Sequence, residues 1–146
     1  MRRALALLTA IALAGCSGPS GPPSTDTSSD DLPSLERRIE FLDRYVTFRR
    51  GYCDLSFHIA YRNNGGGLVP GPSEWDIRLV AAVPAAELAA WVPPDLAPTP
   101  SADMQWLVGV PGDGHADGIR EWYTSPGLVV GIDRERSVVA YRRWAR

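Results

Sequence analysis

The chain has 146 residues, 45% hydrophobic and 22% charged, with a formal net charge of −2. That length and composition suit one ordinary globular domain. Fifteen basic against seventeen acidic residues give none of the basic excess a nucleic-acid binder carries. All fifteen basic residues are arginine, which compositional bias explains without any function.

Met1-Arg2-Arg3 forms a short positive segment, and Ala4 to Ala12 follow as an apolar run. The run is too short to span a bilayer and reads as the apolar core of a signal peptide. It ends in Leu13-Ala14-Gly15-Cys16. This tetrad, with the segments before it, resembles the lipobox of bacterial lipoproteins. The resemblance covers residues 1–16 alone and says nothing about the activity of the rest. It implies that the Cys16 thiol takes a diacylglyceryl group and that the signal, residues 1–15, is cut off just before it. Removing Arg2 and Arg3 leaves 13 basic and 17 acidic residues, a mature charge of −4. Each buried acyl methylene contributes about 0.8 kcal/mol, so two or three chains hold a protein firmly on a membrane. Ser17, not Asp, follows the cysteine, which in a Gram-negative cell implies the outer membrane, facing the periplasm.

Residues 16–33 are rich in Ser, Pro, Gly and Asp, with Leu32 as the one large apolar side chain. Such a stretch buries too little to offset its ordering entropy and is expected to be a disordered tether. Residues 34–146 are expected to fold as a single domain. Ser34 is a fair N-cap, and Leu35, Ile39, Leu42 and Val46 recur at helical spacing, which predicts a helix over 34–49. Its last turn, Val46 to Phe48, can equally be extended.

Tyr52 to Arg62 alternates, with Cys53, Leu55, Phe57, Ile59 and Tyr61 on one face, as a half-buried strand does. Trp75 to Val83 alternates likewise, and the two are expected to pair as an antiparallel hairpin. Pro84 to Trp91 predicts a short second helix. Met104 to Val110 reads as a third strand and Ile119 to Tyr123 as a helical turn. Leu128–Ile132 and Ser137–Tyr141 form a hairpin. The fold class is therefore α+β, a four- to five-stranded antiparallel sheet with an N-terminal helix and one short second helix.

The loop Asn63 to Glu74 is long for a hairpin. Its glycines Gly65, Gly66 and Gly67 allow close approach of a partner backbone. Asn63, Asn64, Ser73 and Glu74 offer polar contacts, and Trp75 stands at its base. These eight residues are the candidate binding site; a tolerated insertion is the bland alternative. Asp113, His115 and Asp117 only loosely resemble a calcium loop. His115 stands where oxygen is wanted and Thr124 where a bidentate Glu is needed, so a solvated turn is the reading and no metal is assigned. Cys53 and His58 sit on opposite strand faces and cannot act as nucleophile and base. Cys53 is expected to be a buried, inert thiol. Trp144, after Arg142 and Arg143, is a candidate for an exposed Arg/Trp patch of the kind found at interfaces.

No hydrolase elbow, phosphate loop or dinucleotide fingerprint occurs, and no catalytic residue or cofactor is assigned. The reading is a lipid-anchored envelope protein that binds another protein without catalysis, possible versions being an inhibitor or immunity protein. The alternatives are a structural or assembly accessory of the outer membrane, and a cell-envelope hydrolase working through carboxylates such as Glu74 and Asp76.

Overall fold

A computed structural model describes residues 21–66, 71–100 and 102–146. The signal segment, Cys16 and Gly67 lie outside the described residues. The described chain is an α+β fold built on one open antiparallel sheet with two short helices. Its strands are β1 (Thr25–Ser28), β2 (Asp54–Arg62), β3 (Glu74–Ala82), β4 (Glu121–Ser125), β5 (Leu128–Asp133) and β6 (Val138–Ala145). They lie in the order β1-β2-β3-β6-β5-β4.

The alternation in β2 and β3 has the expected result. Leu55, Phe57 and Ile59 of β2 and Ile77, Leu79 and Ala81 of β3 are all buried on one sheet face, because register pairs Phe57 with Leu79 and Ile59 with Ile77. Helix α1 (Leu35–Leu42) and helix α2 (Leu88–Trp91) cover that face. Ser34 caps α1 by accepting from the Arg37 N–H at 3.3 Å. Phe41 stacks on Phe57 with ring centroids 5.9 Å apart. The helix is shorter than its spacing predicts. Beyond Leu42 the turn is carried by Tyr45 and Val46 N–H bonds to the Leu42 carbonyl. Phe48 then leaves the helical path and meets Trp91 and Tyr141 edge-on, at 5.3 and 5.5 Å.

The other face is half covered. Residues 105–107 and 113–116 are 3-10 turns, and Trp106, Leu107, Val110, Ala116 and Ile119 pack there against Val80, Trp122, Val138 and Ala140. Two sequence expectations are corrected here. Met104 to Val110 is not a strand: Trp106, Leu107 and Val110 turn inward together, and Gly109 takes φ +82°. Residues 119–123 are not a helical turn. From Glu121 they form β4, whose alternation is masked because Trp122 and Tyr123 are buried on opposite faces. Trp122 pairs with Gly131 of β5. Its ring lies so close over that glycine that a Cβ there would come within 2.6 Å of ring carbon.

The sheet also gains a strand that composition conceals. Residues 25–28 lie within the stretch expected to be a disordered tether, yet they pair with β2 from Thr25↔Tyr61 to Ser28↔His58. Where this edge strand ends, fully buried Ser29 takes over the ladder. Its Oγ accepts the Phe57 N–H at 3.0 Å.

Candidate functional site

The β2–β3 hairpin places its long connection at one end of the sheet. Several polar groups of that loop are spent within the chain. The Asn63 N–H donates to Ser24 Oγ at 2.9 Å and its side-chain amide to the Pro22 carbonyl at 3.0 Å. Asn63 Oδ1 accepts the Gly65 N–H at 2.9 Å. The Asn64 amide donates to the Pro72 carbonyl at 2.9 Å, and its own carbonyl accepts the Gly71 N–H at 3.1 Å. Asn63 therefore clasps the segment before β1, and Asn64 closes the loop on itself. Gly65, Gly66 and Glu74 are exposed; Ser73 and Trp75 are half-buried.

Trp75 and Glu74 do come together with Asp76, the other candidate carboxylate, and with residues that sequence reasoning passed over. They border an open depression of about 540 Å³ with Ser24, Asp26, Arg62, Asp76 and Arg146. It continues onto the half of the second sheet face that the 3-10 turns leave bare. There Asp76 on β3 stands beside Arg142 and Trp144 of β6, because register pairs Asp76 with Trp144 and Arg78 with Arg142. Asp76 Oδ2 accepts from Arg78 Nη2 at 2.6 Å and from Arg142 Nη2 at 2.9 Å, while Oδ1 accepts from Arg142 Nε at 2.9 Å. The Arg142 guanidinium lies over the Trp144 ring, 4.6 Å from its centroid.

Burial pushes the Asp76 carboxyl up, but the hydrogen bonds and charges of Arg78 and Arg142 outweigh it and hold the group below the ordinary carboxylate range. Two guanidinium groups share one carboxylate, so the cluster carries a net positive charge. Its side chains are 18% exposed at Asp76, 19% at Arg142 and 29% at Arg78, which makes the arrangement rigid yet reachable. On the neighbouring strands His58 Nε2 lies 2.8 Å from Asp26 Oδ1. The sequence signals for this cluster were the Arg142-Arg143-Trp144 run and, separately, Asp76 as a strand carboxylate beside Glu74. The two could be placed together only by the β3–β6 register.

The remaining candidates stand apart from this site. Cys53 is exposed, contrary to the expectation of a buried thiol. The strand starts at Asp54, so Cys53 lies beyond the packed face, at the opposite end of the sheet from the loop. Asp113, His115 and Asp117 are exposed on the 3-10 turns. Among the described residues no three His, Cys, Asp or Glu side chains converge on one point, and no helix is long and apolar enough to cross a membrane. No family model, curated protein or solved structure matches the chain.

Proposed function

We propose that this protein is a lipid-anchored protein of the cell envelope that binds another protein without catalysing a reaction. Cys16 would carry the anchor, and the outer membrane facing the periplasm is the compartment this reading favours. The contact surface is the bare half of the sheet's second face together with the rim of the hairpin loop: Asp76, Arg78, Arg142 and Trp144, with Ser73 and Glu74 beside them, while Trp75 turns to the helix-covered face.

The observation that carries the reading is the Asp76–Arg78–Arg142 cluster stacked on Trp144. It is an ordered, partly dehydrated arrangement of charge on the half of the second sheet face that the 3-10 turns leave uncovered. Interfaces favour Arg and Trp at their centres, where rigid side chains lose little entropy on binding. Arg142 and Trp144 are already locked against each other, so a partner would find them pre-organised.

Affinity capture from native envelopes tests this, with the mature chain and a Trp144→Ala/Glu74→Arg variant as baits. A protein retained by the wild type and lost with the variant is the expected result. Equal retention by both, or no stable partner for either, would overturn the assignment of this surface.

A further inference from the structure

The hydrogen bonds around Asn63 determine where the chain comes in from its N-terminus. Residues 22–24 are held at the loop end of the sheet: Pro22 and Ser24 by Asn63, and Pro23 by the Tyr45 hydroxyl, which donates to its carbonyl at 3.2 Å. A Cβ on Gly21 would stand 3.3 Å from the Asn63 amide nitrogen and 3.6 Å from the Tyr61 hydroxyl. From Thr25 onward the segment is a strand of the sheet, running away from the loop end. The folded domain therefore includes residues 22–33 and does not begin at residue 34.

Five peptide links separate Cys16 from Gly21. Even fully extended, they span at most about 18 Å. The strands that run from the loop end to the far end are longer than that: the nine residues of β3 cover roughly 26 Å. Lipid on Cys16 thus acts on a short leash fastened to one end of a longer body. That end presents half-buried aromatic side chains with polar groups, Tyr61 and Trp75, flanked by the exposed arginines Arg62 and Arg146. Such side chains suit a membrane–water boundary, where apolar bodies bury and polar tips stay wet.

We infer that the loop end of the sheet, with Gly66, Arg62 and Arg146, lies against the lipid surface, and that the opposite end, with Cys53 and Glu135, points away from it. The inference rests on the lipid-anchor reading above. In this orientation the described loop residues Gly65, Gly66 and Gly71 face the membrane. The Asp76–Arg142 face stands sideways to the bilayer, open to a partner approaching along the membrane.

The test uses the full lipidated chain in vesicles of phosphatidylcholine and phosphatidylglycerol that contain a headgroup-linked quencher. One sample carries a fluorophore on the native Cys53. A second carries it at position 66 in a Gly66→Cys/Cys53→Ser variant. Quenching at position 66 is expected to exceed that at position 53 several-fold. A flexible fifteen-residue Gly/Ser insertion after Ser17 adds reach of about 20 Å and is expected to weaken the quenching at 66. Equal quenching at the two positions, or stronger quenching at 53, overturns the orientation. The mass of the N-terminal peptide from the same samples separates the two readings. Lipid on Cys16 with equal quenching refutes the orientation alone, and absence of lipid refutes the anchor and the orientation with it.

Discussion

Replacing Ser29 with alanine tests whether residues 21–33 belong to the folded domain. Ser29 is fully buried, and its hydroxyl oxygen receives the Phe57 N–H at 3.0 Å, one step past the last β1–β2 pair. Alanine fits the space but leaves that N–H buried without an acceptor. An unsatisfied buried donor costs about 1–3 kcal/mol, with little offset from the exchange of a hydroxyl for hydrogen. For a domain of this size a loss near 2 kcal/mol lowers Tm by roughly 6–12 °C. Urea unfolding followed by tryptophan fluorescence reads the change as a lower midpoint at unchanged slope. A companion chain starting at Ser34 discards β1 and Ser29 together and should lose more than Ser29→Ala does. If Ser29→Ala stays within about 0.5 kcal/mol of wild type, the range of ordinary surface changes, and the shortened chain unfolds at the wild-type midpoint, the reasoning fails. The segment would then be the loose tether its composition resembles.

Gly131→Ala should destabilise by about 1–3 kcal/mol, because the new methyl meets the buried Trp122 ring and forces it to shift; thermal unfolding reads this directly. Asp76→Asn removes the charge that two arginines share and should cost about 1–3 kcal/mol, as hydrogen bonds to charged groups do. The Asp76 carboxyl titrates below its unfolded value. Its contribution is therefore fully present above about pH 4 and fades as pH falls through the depressed value. A pH series of urea midpoints should show a steeper acid loss in wild type than in Asp76→Asn. Cys53 is exposed and should react with a thiol reagent in the native state as fast as in urea, whereas protection in the native state would contradict its placement.

The hairpin of β2 and β3 was legible in the sequence because each strand buries one face, so apolar residues alternate. The β5–β6 hairpin was legible for another reason: Leu128 to Ile132 and Val138 to Tyr141 are short apolar runs on either side of a charged turn, buried on both sheet faces, and Ser34 marked the start of α1 by its capping chemistry. Elements that escaped notice lack a one-sided pattern. Thr25 to Ser28 is an edge strand without large apolar side chains, held by backbone pairing and by Ser29, and its composition is that of a linker. Trp122 and Tyr123 are buried on both faces, which erases alternation. Trp106, Leu107 and Val110 form an apolar run that reads as a strand, although glycine with positive φ lets it curl into turns. The candidate site was half legible. Glu74 and Trp75 were singled out from the loop and Trp144 from its arginines, but Asp76 joins them only through β3–β6 register. Asn63 and Asn64 have residue types suited to a ligand, yet their amides hold the chain itself together.

Hydrogen exchange of the mature chain, with and without its captured partner, tests the binding surface most directly. The account predicts slowed exchange in the loop-end halves of β2, β3 and β6, at residues 58–62, 74–78 and 142–145, with the turn at 134–137 unchanged. Protection confined to α1, α2 and the face they cover, with β3 and β6 exchanging as in the free protein, would contradict it.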